Sequence, residues 1–281
     1  MKRVRLKKVL YHISTVTYCL VIFIIIGLPL YMVLINSFKP YVEIFGNFIS
    51  FPKVFDFSNF IFLFEEKKIW LYIINSVIIT GTVAFTSFVI NPFIAYKIAM
   101  NWENKFFRIF YYVISSAMFI PSQVIFFPLI RQYYVLNLMN HFGLIIYYAV
   151  FMLPESIFLM VPHFRLFKKN LRNVAYLDGC KEIRFYFRIF IPICRPVILT
   201  VTILSAVWTW NDFFMPLMIL NTNPYAWTLP IFIFRLMGRY NASQGIAFSA
   251  IQIAMIPVVI FYIFFHKKIT RGFSIKNARY E

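Results

Sequence analysis

Acidic residues are scarce in this chain: 10 Asp and Glu stand against 28 Lys and Arg among 281 residues, a formal net charge of +18. Charge of either sign is thin, at 14% of residues against the ~25% usual for soluble domains. Glycine is limited to eight positions, and none opens a G-x-x-x-x-G-K-[ST] phosphate loop, so nothing here cradles a nucleotide in the usual way. H-E-x-x-H, C-x-x-C and G-x-S-x-G are absent too, which removes the common zinc-hydrolase, thiol and serine-hydrolase signatures. The three cysteines, Cys19, Cys180 and Cys194, form no close pair and read as reduced and structural, with no metal site. His12, His141, His163 and His266 are scattered. No catalytic constellation and no cofactor requirement emerges.

What is abundant is apolar sequence: 61% of residues are hydrophobic and 21% aromatic. The apolar runs are continuous rather than alternating, which favours helices over a membrane barrel. Six spans are expected, over Tyr11 to Asn36, Ile69 to Tyr96, Ile109 to Ile130 (kinked at Pro121, with Ser115, Ser116 or a neighbouring helix satisfying the freed carbonyl), Gly143 to Val161, Val197 to Leu220 and Ala242 to His266. The first is too long, and too poor in small residues at its end, for a signal peptide's apolar region, so it reads as an uncleaved helix. Lys39 to Lys68 reads as an external loop with short structured pieces, and Asn221 to Tyr240 as an external or re-entrant segment. Placing the termini and the even-numbered connections in the cytoplasm puts 21 of the 28 basic residues on that side and 7 outside. Lys and Arg in short loops set orientation, so both termini are expected in the cytoplasm. In a soluble protein +18 would suggest nucleic acid; here short basic loops account for it, and no nucleic-acid partner is expected.

The most charged stretch runs from His163 to Pro196, where Arg165, Lys168, Lys169, Arg172, Lys181, Arg184, Arg188 and Arg195 face only Asp178 and Glu182. Phe167, Leu171, Val174 and Ala175 recur at helical spacing, with basic residues on the other side. Asp178-Gly179 breaks that pattern, since Gly supplies backbone freedom and Asp can cap a following helix. A second apolar run, Phe185 to Ile191, leads to Pro192, where helix geometry is expected to be interrupted again. From charge alone this is a basic loop that orients a membrane protein.

The spacing within it adds more. Gly179, nine residues, Ile189, any residue, Ile191, Pro192 resembles the "EAA" loop of permease subunits of binding-protein-dependent ABC importers. That pattern runs Glu-Ala-Ala, three residues, Gly, nine residues, Ile, any residue, Leu, Pro. Here the opening triplet is Asn173-Val174-Ala175, so the Glu and the first Ala are missing; Leu177-Asp178-Gly179 matches, and Ile191 replaces Leu. Further landmarks are similar to the carbohydrate-uptake branch: Tyr31 to Pro40, Asn75-Ser76 with the run to Ala95-Tyr96, Trp210-Asn211-Asp212-Phe213-Phe214-Met215-Pro216-Leu217, and Arg271-Gly272-Phe273. The resemblance implies an all-α membrane protein of six transmembrane helices with the type I importer (MetI-like) permease fold. It divides into 1–68 (N-terminal segment, first helix and external loop), 69–266 (the permease domain) and 267–281 (a cytoplasmic tail). It also implies a bacterial cell-membrane location and the following partners: a second permease subunit, two ATP-binding subunits and an extracellular or periplasmic solute-binding protein. On this reading Leu171, Asn173, Val174, Ala175, Asp178, Gly179, Ile189 and Pro192 form the loop that couples to the ATPase. Leu171, Val174, Ala175 and Gly179 would be its docking surface, and Glu182 would stand in for the acid missing at Asn173.

Within the spans, Glu155 directly follows Pro154 in the fourth, and Trp210, Asn211 and Asp212 lie near the end of the fifth. An acid at a helix centre costs roughly 2.5–3.5 kcal/mol to insert, so such groups face a cavity or a partner. Glu155 is therefore either a hydrogen-bonding residue on a solute path or a contact to another helix. Asp212, nearer its helix end where the cost falls, suits capping or an interface contact ahead of ligand binding. Trp208, Trp210, Tyr225 and Trp227 suit sugar stacking or the membrane interface. The expected function is the permease subunit of an ATP-driven sugar or oligosaccharide importer. The alternatives are an ABC permease for another solute, such as glycerol-phosphate or polyamine, and an ion-coupled carrier using intramembrane carboxylates. An intramembrane enzyme lacks a catalytic pair.

Overall fold

The computed structural model describes residues 2–166, 169–239 and 244–272. Every regular element among them is helical. In order these are α1 (Lys2–Asn36), α2 (Tyr41–Gly46), α3 (Ser58–Glu65), α4 (Ile69–Met100), α5 (Lys105–Ser116), α6 (Ser122–Val135), α7 (His141–Phe151), α8 (Leu153–Arg165), α9 (Lys169–Leu177), α10 (Glu182–Phe185), α11 (Ile191–Asn211), α12 (Phe214–Leu220), α13 (Leu229–Arg239) and α14 (Gln244–Gly272). Five stretches are long and apolar enough to cross a membrane: Ser14–Asn36, Ile69–Met100, His141–Arg165, Glu182–Asn211 and Gln244–Phe264. A sixth is counted if the bent pair Lys105–Phe119 and Ser122–Val135 is one span. Phe167 and Lys168 of the basic stretch, Ala242 at the expected start of the last span, and Phe273 with the rest of the tail lie outside the described residues.

Two of the expected spans need correction. The kink at Pro121 is a 96° bend, far beyond a simple deflection of one rod. The chain tightens into a 3₁₀ turn over Ala117–Phe119, and Pro121 then starts α6 from outside it. The carbonyl of Ala117 accepts the Ile120 amide, while the Ser116 hydroxyl donates to Val113. Neither serine is needed for the freed carbonyl. The fifth span begins earlier than expected because Pro192 does not interrupt it, and it ends earlier because the backbone turns extended at Asp212. A π-helical turn, Tyr186–Phe190, joins α10 to α11, and Pro192 sits in the first turn of α11, where its missing N–H and fixed φ are tolerated. The run Glu182–Asn211 has 30 residues, roughly 45 Å at 1.5 Å per residue, so it outreaches a ~30 Å hydrocarbon core. It stops at Asp212, whose backbone is extended.

Contacts divide the chain into two units, Met1–Trp70 with Phe232–Pro257, and Leu71–Ile231 with Val258–Glu281. In the first, the end of α1 is pinned by polar groups. Asn36 donates to Phe48 O (3.0 Å), Asn59 to Lys39 O (3.1 Å), Ser249 to Ser37 O (2.9 Å), and Lys39 Nζ to Asn47 O (3.0 Å). Asn36, Ser37 and Lys39 are fully buried, and a buried polar group without a partner is costly. Tyr31 to Pro40 is thus the place where the first helix is tied off. Gly245 lets α14 approach α3: a Cβ there would lie 2.7 Å from the Asn59 side chain.

The second unit has two apolar cores. One gathers Tyr96, Met160, Phe164, Ala175, Phe185, Phe190, Cys194 and Ile198; the other gathers Ile79, Tyr147, Tyr148, Met152, Met215, Ile219 and Trp227. Along α4, α8 and α11 a buried polar layer falls between them: Asn91 donates to Ser156 Oγ at 2.8 Å, and Ser87 and Ser205 share a 3.2 Å bond. Three helices are thereby keyed at one depth, by bonds worth about 0.6 kcal/mol each in a membrane setting. Asn75 and Ser76 hold the entry to α13. Asn75 donates to Tyr225 O (2.8 Å) and Trp227 O (3.0 Å), and Ser76 Oγ accepts the Leu229 amide (2.8 Å).

Candidate functional site

The basic stretch folds as a helical hairpin. α9 ends in a Schellman motif: Gly179 has φ +76°, its amide donates to Tyr176 O (3.0 Å), and the Cys180 amide reaches Ala175 O (2.9 Å). A left-handed residue closing the last turn is what glycine supplies without strain. Asp178 continues the α9 bonding through its own amide to Val174 O, and the residue preceding α10 is Lys181, with no side-chain cap. The expectation that Asp178 caps the second helix is therefore corrected.

Ala175, 8% exposed, belongs to the apolar core, and the partly buried Ile189 packs against the same cluster. Asn173, Asp178, Gly179 and Pro192 are exposed. So are Leu171, Val174, Leu177 (87%) and, on the second arm, Ile183 (74%) and Phe187. Lys181, Arg184 and Arg188 are exposed around them. Leu177, Ile183 and Phe187 were not singled out as surface candidates in the sequence, because apolar spacing alone does not say which side of a short helix is covered. Glu182 pairs with Lys97 Nζ at 2.8 Å. The acid offered as a substitute for the one missing at Asn173 thus ties the hairpin to α4 of its own chain. The Arg165 guanidinium lies 3.8 Å from the centre of the Trp102 ring, a second tie at the base of the hairpin.

The other candidates meet in a cleft of about 390 Å³ lined by Glu155, Leu204, Val207, Trp208, Asn211 and Asp212. Trp210 is not among them; it is 9% exposed and packed inside. Leu204, Val207, Trp208 and Asn211 fall at i, i+3, i+4 and i+7 of α11, one helical face, and that periodicity was the available signal for Leu204 and Val207. Asp212 is committed on both oxygens: Oδ2 accepts the Tyr148 hydroxyl (2.9 Å) and Oδ1 the Phe214 amide (3.0 Å). It links α7 to the start of α12. Asn211 Nδ2 donates to Val207 O at 2.7 Å, and its Oδ1 accepts no hydrogen bond among the described residues. Glu155 is exposed and makes no hydrogen bond or ion pair among the described residues.

Against known proteins, residues 92–275 match the family described as "Binding-protein-dependent transport system inner membrane component". The multiple sugar-binding transport system permease protein MsmG of Streptococcus mutans is 34% identical, with 89% of this chain and 91% of that protein covered. The arabinooligosaccharides transport system permease protein AraQ of Halalkalibacterium halodurans is 27% identical over 99% of this chain and 100% of its own. Among solved structures, a chain of a bacterial ABC transporter involved in the import of the acidic polysaccharide alginate superposes with a TM-score of 0.81 at 21% identity, covering 93% of this chain and 97% of that one. At that identity the likeness establishes the fold.

Proposed function

The chain belongs to the family of inner membrane components of binding-protein-dependent transport systems, and from that premise we propose that it is the sugar or oligosaccharide permease subunit of an ATP-driven importer. It works with a second, different permease subunit, two ATP-binding subunits and an external solute-binding protein, and both of its termini lie in the cytoplasm. Relatives that match nearly end to end carry sugar-transport names, which supports the substrate class. ATP hydrolysis belongs to the partners, and their closure reaches this chain through the hairpin.

The observation that carries the reading is the exposed apolar and basic face of that hairpin: Leu171, Val174, Leu177 and Ile183 stand out beside Lys181 and Arg184. Apolar side chains at the centre of a patch with charge around them form a protein-docking surface. Its base is held by Ala175 in the core and by the Lys97–Glu182 pair, so force applied to the hairpin is delivered to α4 and to the long helix through α11. Shifting a two-state carrier decisively takes ~5.5 kcal/mol of differential binding, and a rigid lever passes that on without loss to local bending.

Docking is tested by co-purification of the complete importer. Leu177→Glu removes the ATPase from the purified complex while the permease retains its yield and thermal transition. Ala175→Arg removes it by a different route, through collapse of the hairpin's inner face, and lowers the transition as well. Undiminished ATPase recovery with Leu177→Glu rules out this docking face.

A further inference from the structure

Glu155 lies 14 residues from one end and 10 from the other of the span His141–Arg165, roughly 15–20 Å from either end at 1.5 Å per residue. A carboxylate at that depth does not face lipid at an acceptable cost, yet this one is exposed and has no partner among the described residues. It borders a cleft whose volume, about 390 Å³, falls in the range of small-molecule sites. Trp208, half exposed, presents an aromatic surface there, and its ring is braced by Phe151 at 5.4 Å and Tyr148 at 6.2 Å between centroids. The polar lining is acceptor-rich. It consists of the Glu155 carboxylate, the Asn211 side-chain amide, whose Oδ1 accepts no hydrogen bond among the described residues, and the Asp212 carboxylate, with no Lys or Arg among the lining residues.

We propose that the Glu155–Trp208 cleft is a point on this subunit where a neutral, hydroxyl-rich solute is contacted during passage, and where anionic solutes are turned away. The proposal rests on the reading of the chain as a sugar permease and adds a charge criterion to it. Sugar hydroxyls donate to Glu155 and Asn211 while the apolar face of a pyranose or furanose ring lies against Trp208. Asp212 does not compete for these hydroxyls, because both of its oxygens are used within the chain. A phosphate or carboxylate on the solute meets the Glu155 carboxylate and no Lys or Arg among the lining residues, and like charges repel.

The test uses the complete importer in proteoliposomes. Radiolabelled neutral di- and trisaccharides are screened, and the one moved fastest is compared with its own aldonate, the same sugar oxidised to an acid at its reducing end. The same binding protein delivers both sugars to every variant, so its preference cancels from variant-to-variant ratios. At saturating sugar, Trp208→Ala and Glu155→Gln each lower maximal neutral uptake about tenfold, the size of one lost charge-assisted hydrogen bond or stacking contact. Glu155→Gln also raises the aldonate-to-neutral ratio about tenfold through relief of charge repulsion. Unchanged rates and ratio overturn the cleft assignment while leaving the sugar reading intact. Loss of the second permease on purification of Glu155→Gln overturns it too, by making Glu155 a subunit contact. Failure of the wild type to move any carbohydrate defeats the sugar reading and the cleft together.

Discussion

Gly179 shows how much a single backbone angle decides. Its φ of +76° closes the Schellman turn, and a Cβ there meets nothing within 4 Å. Substitution therefore acts through backbone strain rather than through a clash. Gly179→Ala costs about 1–2 kcal/mol locally, and the expected result is faster amide exchange at Gly179-Cys180 and the end of α9, with the rest of the protein unchanged. Exchange identical to wild type would show that the turn is not held in this form. Asp212 gives the opposite lesson. It stood with Glu155 as a polar residue in a span, but the bonds from Tyr148 and Phe214 make it a structural joint. Its place near a helix end suited capping, which the Phe214 amide provides; sequence position could not show the Tyr148 hydroxyl, a donor brought by another helix.

Among the elements, the hairpin and α4 move as one if the Lys97–Glu182 pair holds. Both side chains are more than a third exposed, so water screens the pair and its worth is about 0.2–1 kcal/mol. That is small for stability and still enough to bias the hairpin's orientation. Lys97→Glu is expected to lower sugar-stimulated ATPase activity of the assembled importer two- to fivefold, in line with that energy, and Lys97→Glu with Glu182→Lys restores it. If the double variant is as poor as the single one, the residues act separately. The π-helical turn Tyr186–Phe190 could not be anticipated: five residues of ordinary helix-forming sequence carry no local mark for an i→i+5 bond, and packing of Tyr186 and Phe190 into the core selects it.

For the whole molecule, the threefold excess of basic residues on the side assigned to the cytoplasm predicts orientation. In a background with Cys180 replaced by Ser, Tyr225→Cys is expected to label with a membrane-impermeant maleimide on intact cells. Lys181→Cys is expected to label only after permeabilisation. The reverse pattern inverts the topology and removes the hairpin from the ATPase side. Tyr225 is highly exposed and Lys181 exposed, so reactivity at both sites reports the side of the membrane rather than burial.

The all-helical class, the apolar spans other than the third and the fifth, and the basic hairpin with its glycine turn were legible in the residues, because length of apolar run, net charge and a left-handed turn are local properties. The ends of the fifth span, the 96° break at Pro121 and the bond from Tyr148 to Asp212 were not. The second bond of Asp212 depends on a hydroxyl brought by another helix, and Pro192 and Pro121 look alike until their surroundings are known. The same holds for the two faces of α9: spacing marked Leu171, Val174 and Ala175 as a stripe, but only packing against Tyr96, Phe185 and their neighbours turned Ala175 inward and left Leu177 out. Burial is a property of assembled elements. Sequence therefore determines what this protein is made of and where it lives, and tertiary contact alone decides which of its polar and apolar groups remain free to meet another molecule.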